Sequence, residues 1–125
     1  MAVTKKAAGS TAAVAALVAA FLMPHEGMRD QAYRDPVGIW TICYGETQGV
    51  HAGERMTPAQ CRAQLTARVP QYLGPVDHMM PGLPDNRRVA YTDFVYNAGV
   101  GTLERSRIPP LERAGEWRQA CDELL

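Results

Sequence analysis

The amino-acid sequence predicts an α+β, mainly helical protein in two lobes, with a small β-hairpin lobe and a helical lobe joined by a long helix. Three observations carry this. β-Forming residues at Tyr33 and over Trp40–Tyr44 flank the turn chemistry of Asp35-Pro36-Val37-Gly38. Thr57, Pro58 and Gln60 then open a helix whose apolar stripe runs from Cys61 to Val76. From Asn86 onward the pattern is helical, broken at glycines. A chain of 125 residues suffices for one domain with a modest core.

The first element is the apolar run "AAVAALVAAFLM" over residues 12–23, preceded by Lys5 and Lys6. It has two readings. As a basic stretch followed by a short apolar run it fits an export signal, and it is too short for a confident membrane span. As a soluble helix, Val14, Leu17, Val18, Phe21 and Leu22 fall on one face with alanines opposite. Export is taken first, because no charge interrupts the run between Lys6 and His25. Pro24 ends or kinks the helix in either case.

Strands are expected within residues 31–47, and "ETQGVHAGERM" reads as a polar loop with a short edge strand. In the next helix Thr57 caps, Pro58 suits the first position and Gln60 completes a capping box. Its stripe is Cys61, Leu65, Val69, Tyr72 and Val76. Pro70 lies inside that stripe, so a kinked helix or two end-to-end helices are expected. "PGLPDN" turns into a central helix over Asn86–Ala98, which Gly99 ends. "RIPPLERAGEWRQACDELL" gives a short helix, a glycine break and a helix from about Glu116.

Composition is globular, with 46% apolar and 21% charged residues. The formal charge of zero argues against a nucleic-acid partner. The three histidines, His25, His51 and His78, lack metal-ligand spacing, and no cofactor motif is present. Cys43, Cys61 and Cys121 have no CxxC pair; a Cys43–Cys61 bridge in an oxidising compartment and three buried thiols both fit.

The chemistry centres on "HEGMRDQAYRDPVGIWTICYGET". Glu26 stands behind an apolar run, Asp35 follows in a polar turn and Thr41 in a strand. Cleaving a glycosidic bond needs one carboxyl that keeps its proton and a second that stays ionised. Apolar Phe21, Leu22 and Met23 favour the neutral form of Glu26, and an open turn suits an ionised Asp35. Thr41 is then placed to hold a water. Taken singly, each residue also has an ordinary structural role, as helix end, turn opener and strand residue.

These residues resemble the catalytic stretch of phage-type lysozymes, the T4-lysozyme-like muramidases. "MTPAQCRAQL", "FVYNAGVG" and "AGEWRQACDELL" follow in the order the family shows, so the likeness covers nearly all of residues 22–125. It implies a lysozyme-like two-lobe fold over residues 24–125, with residues 1–23 as a separate hydrophobic segment. It implies hydrolysis of the β-1,4 bond between N-acetylmuramic acid and N-acetylglucosamine, with inversion, by a monomer without cofactor. Glu26 carries over as general acid and Asp35 with Thr41 as the groups that position or activate water. Tyr33 and Asn97 carry over as cleft-lining residues. The subtype with a releasable signal-anchor implies transient inner-membrane association through residues 7–23 and work in the periplasm. If that segment only packs in the core, the expectation is a cytoplasmic protein.

Two departures stand out. Glu46 occupies a position where many relatives have His. Relatives also continue past the position of Leu125 with an Arg that pairs with the catalytic Glu, so the expectation is an incomplete helical lobe in which Cys121 lacks a partner. The competing functional classes are a non-hydrolytic peptidoglycan-binding protein, including an inactive fragment, and a membrane-active protein in which the alanine-rich segment is the working part.

Overall fold

The computed structural model describes residues 11–125. Along the chain run α1 (Thr11–Leu22), β1 (Arg29–Arg34), β2 (Trp40–Cys43), α2 (Pro58–Met79), α3 (Asp85–Ala98), α4 (Val100–Arg105), α5 (Ile108–Arg113) and α6 (Trp117–Asp122).

β1 and β2 form an antiparallel hairpin in which Arg34 pairs with Trp40 and Tyr33 with Thr41. The register shifts between Tyr33 and Arg29, which faces Cys43. Asp35 closes the turn: its N–H donates to the Ile39 carbonyl at 2.9 Å, and Gly38 N–H donates back to the Asp35 carbonyl at 2.8 Å. Gly38 sits at φ 89°, a conformation that suits glycine. The polar loop supplies the expected edge. Ala32 N–H donates to Glu54 O, and Met56 N–H donates to Asp30 O, each at 2.9 Å.

α2 begins with the full capping box. Gln60 N–H donates to Thr57 Oγ1 at 3.1 Å, and Thr57 N–H donates to Gln60 Oε1 at 2.8 Å. The helix then continues unbroken through Pro70 and Pro75, so the expected division into two helices does not occur. Pro70 is exposed, so the backbone hydrogen bond it forfeits lies on the solvent side of the helix, where its loss costs least. The buried stripe is Cys61, Leu65, Val69, Leu73 and Val76. Leu73 takes the place expected for Tyr72, which is half-buried and meets Tyr96 edge-on with ring centroids 5.1 Å apart.

Two apolar clusters form along α2. The first joins Leu65 and Leu73 of α2 to Ile42 of β2 and to Val14, Val18 and Leu22 of α1. The second joins Val76 to Tyr91 and Val95 of α3, with Leu103 and Ile108. α1 therefore packs into the same core as the hairpin, against α2 and α3. Its buried face is Val14, Ala15, Val18, Ala19 and Leu22, while Leu17 is 51% and Phe21 44% exposed. This corrects the expected face: alanines 15 and 19 let the helices approach closely, and two of the larger side chains turn outward. Residues 1–10, with Lys5, Lys6 and the start of the 7–23 segment, lie outside the described residues.

α3 carries Arg88, only 5% exposed, into its interface with α2. There the guanidinium pairs bidentately with Asp77, Nε to Oδ1 at 2.9 Å and Nη2 to Oδ2 at 2.8 Å. Gly99, at φ 91°, ends α3 and opens α4, a helix the sequence pattern did not reveal.

Candidate active site

Glu26 lies four residues past the end of α1. Its N–H still donates to the Leu22 carbonyl at 3.0 Å, so the helical winding continues loosely as far as the acid. His25 Nδ1 lies 2.9 Å from the Phe21 carbonyl, and the two rings tilt against each other at 5.3 Å. Glu26 is half-buried. Burial, and after it the carboxylate of Asp93 on α3, holds its carboxyl above the ordinary value; His25 works in the opposite direction. The charges that act on Glu26 thus come from Asp93 and His25 rather than from Asp35. His25, the residue before Glu26, sits beyond the end of α1 and acts on it.

Asp35 and Thr41 are brought together by the backbone of one residue. Asp35 Oδ1 accepts from the N–H of Val37 and of Ile39, each at 2.9 Å. The Thr41 hydroxyl donates to the Ile39 carbonyl at 2.9 Å. Ile39 therefore fixes both side chains from its two ends. Thr41 is buried, and its hydroxyl keeps accepting capacity. Tyr33, cross-strand from Thr41, is half-buried beneath the Arg29 guanidinium, 4.1 Å from the ring centroid. Asn97 is exposed and turns back on its own helix. Its Nδ2 donates to the Asp93 carbonyl at 3.0 Å and to Asp93 Oδ1 at 3.1 Å.

The hairpin is tied to the helices beside this site. The Tyr96 hydroxyl of α3 donates to the Tyr44 carbonyl. Glu46 pairs with Arg68 Nε of α2 at 2.8 Å and accepts from Gln64 Nε2. Burial pushes the Glu46 carboxyl up, but hydrogen bonds from Arg68, the Gln48 N–H and Gln64 outweigh it and hold the group below its usual value. Burial and the Glu26 charge raise the Tyr96 phenol, so the two groups share one environment. Cys43 and Cys61 are bonded, with Cα atoms 5.0 Å apart, joining the end of β2 to the first turn of α2. Cys121 is a free thiol 3.9 Å from the Tyr91 hydroxyl. Among the described residues no group of three His, Cys, Asp or Glu could hold a metal ion.

Sequence reasoning missed Asp93, Tyr96 and the Glu46–Arg68 pair. Asp93 lies 67 positions from Glu26 in the numbering (93 − 26), and nothing local marks it. The exchange of His for Glu at position 46 was the one available signal for its ion pair.

A hairpin lobe, a bridging α2 and a half-buried acid at the end of α1 define a lysozyme-like protein. Residues 23–125 match the phage lysozyme family, and the chain belongs to it. It is 34% identical over 103 residues to the SAR-endolysin of Bacteriophage PS119, covering 79% of this chain and 60% of that protein. It is 40% identical over 96 residues to the SAR-endolysin of Pseudomonas phage phiKMV, covering 75% of this chain and 56% of that one. The chain thus spans under two thirds of the length of these relatives. Among solved structures it is similar to the muramidase domain of SpmX from Asticaccaulis excentricus. There the TM-score is 0.75 at 27% identity, over 89% of this chain and 74% of that one.

Proposed function

We propose that the chain hydrolyses bacterial peptidoglycan at the β-1,4 bond between N-acetylmuramic acid and N-acetylglucosamine. The observation that carries this reading is Glu26, a half-buried acid whose proton is held by its surroundings at the end of a helix. Glu26 donates that proton to the leaving oxygen as general acid. Asp35 and Thr41 hold a water for attack on the opposite face of the sugar. Their shared anchoring on Ile39 supports this division. Asp35 Oδ1 serves the turn and Oδ2 is left for the water, while the Thr41 hydroxyl donates to the Ile39 carbonyl and can still accept. Tyr33 and Asn97 flank the glycan strand, and the enzyme works as a monomer without cofactor.

The chain acts in the periplasm, after export through its N-terminal segment. The relatives' name, SAR-endolysin, and the Cys43–Cys61 bond, which suits an oxidising compartment, support this. Among the described residues no helix is long and apolar enough to cross a membrane. Residues 7–23 associate with the inner membrane only transiently, and α1 packed in the core is the released state. While that segment sits in lipid, Glu26, three positions past Met23, cannot dock beside the hairpin.

A second reading, peptidoglycan binding without turnover, is favoured by one observation: the Asp35 carboxylate already serves as a turn closer. Purified sacculi incubated with the chain decide between the two. New N-acetylmuramic acid reducing ends, detected by mass spectrometry of the released fragments, are the expected result. Sedimentation of the chain with sacculi and no new reducing ends establishes the second reading.

A further inference from the structure

Directly after Thr41 the chain makes a tight turn. Ile42 and Glu46 bridge across it, each N–H donating to the other's carbonyl at 2.9 Å. Inside the bridge Cys43 sits at φ 60° and Gly45 at φ 90°, so two left-handed residues fall within one short turn. A non-glycine residue stays in that region only where its surroundings hold it.

Three contacts hold this turn, and they fall on two helices. At Cys43 the disulfide reaches Cys61, in the first turn of α2. At Tyr44 the carbonyl accepts from the Tyr96 hydroxyl of α3. At Glu46 the carboxylate uses both oxygens. Oε1 takes Arg68 Nε at 2.8 Å and also Gln64 Nε2, and Oε2 takes the Gln48 N–H at 2.7 Å. The Glu46 side chain is 9% exposed, which shields the pair from competing water. Cys61 and Arg68 are seven residues apart (68 − 61), two turns and about 10 Å along the axis of α2. A link at Cys61 alone leaves the hairpin free to pivot about it. A second link two turns further on removes the pivot.

We infer that Glu46, held by Arg68 and Gln64, is a positioning residue that sets the angle of the hairpin on α2 and so aims Thr41 and Asp35 toward Glu26. This rests on the reading of those three as the catalytic set. The path between them is short. Glu46 bridges to Ile42, which follows Thr41 directly, and Ile39 fixes Thr41 and Asp35 together. On the other side, the Glu26 N–H is held by the carbonyl of Leu22, whose side chain shares an apolar cluster with Ile42 and Leu65. The disulfide secures the seat of the hairpin, and the Glu46 pair orients it.

The test uses Arg68→Met and Glu46→Gln in the full chain, read in two ways. Without substrate, NMR is expected to show a shifted Thr41 methyl signal and several-fold faster amide exchange at Ile42, whose N–H the bridge protects. With soluble glycan fragments of peptidoglycan, kcat is expected to fall several-fold while KM holds, because misaimed water-holding groups harm the chemical step rather than binding. Arg68→Lys keeps the charge and is expected to recover most of the lost rate. Asp77→Asn breaks the ion pair with Arg88 elsewhere on α2 and controls for lost stability; it is expected to leave kcat and the Thr41 signal unchanged. Arg68 is 34% exposed, so its variant reads the tie should Glu46→Gln not fold. Wild-type kcat in the folded variants, an unmoved Thr41 signal, or an equal loss of kcat in Asp77→Asn overturns the proposal. In a chain that releases no reducing ends, the NMR readings alone decide the tie, and the hydrolase reading fails separately.

Discussion

Glu26→Gln is expected to lower hydrolysis of sacculi by about 10²–10⁴-fold, the usual contribution of a positioned acid, while binding to sacculi persists. The amide keeps the shape of the side chain and has no proton of comparable acidity to give. The same substitution is expected to raise stability, but only at higher pH. The folded chain binds the Glu26 proton more tightly than the unfolded chain does. That contribution is complete below the unfolded-state value and is lost as pH rises through the folded-state value. Above it, a half-buried group carries a charge that burial and the Asp93 carboxylate both disfavour, and Gln removes this burden. Calorimetry at about pH 8 should therefore find the Gln variant melting above the wild type, with the gap shrinking toward about pH 4. A variant that melts below the wild type at both ends of this range rules out the strained-acid account. One that clears sacculi at the wild-type rate removes Glu26 from the chemistry.

The second large effect concerns the Cys43–Cys61 bond. Cys61→Ala, or reduction of the wild type, is expected to cost about 3 kcal/mol, the loop-entropy value for a closure of this length. For a chain this size that corresponds to a fall in melting temperature of roughly 10 °C. The bond spans a sequence separation of 18, and both half-cystines are buried. The bond ends on Cys43, which sits at φ 60°, a left-handed conformation that a non-glycine residue adopts at a cost. Losing it releases the end of β2, two residues from Thr41, so the alignment of the hairpin with Glu26 should loosen and activity should fall with stability. Thermal melts with and without reductant check this, with Cys61→Ala as the form reductant no longer moves. A melting temperature unchanged by reductant in the wild type means that packing alone seats the hairpin on α2.

Local signals were legible where they act locally. The Thr57-Pro58-Gln60 box announces α2 because all its partners lie within one turn. The Asp35-Pro36-Val37-Gly38 turn and the glycines at 99 and 115 mark ends for the same reason. Glu26, Asp35 and Thr41 could be singled out because they share one short stretch and resemble one family. What escaped depends on packing between distant segments. Val14 and Leu17 have similar hydrophobicity, and only the seating of α1 on α2 and α3 decides that the first is buried and the second exposed. Pro70 read as a kink or a division into two helices, yet its place on the exposed side of α2 let the helix run on. Asp93 carries no motif, and its meaning comes from the charge it contributes to Glu26 from a distant part of the chain.

α2 belongs to both apolar clusters, with Cys61, Leu65, Val69 and Leu73 in one and Val76 in the other. Neither cluster can come apart without stripping one side of the same helix. The cost of melting either end therefore falls on the whole, and the two lobes should lose structure as a single cooperative unit. Trp40 in the hairpin and Trp117 in the last helix stand at opposite ends of that unit. Their fluorescence, resolved in single-tryptophan variants, should trace one transition with one midpoint.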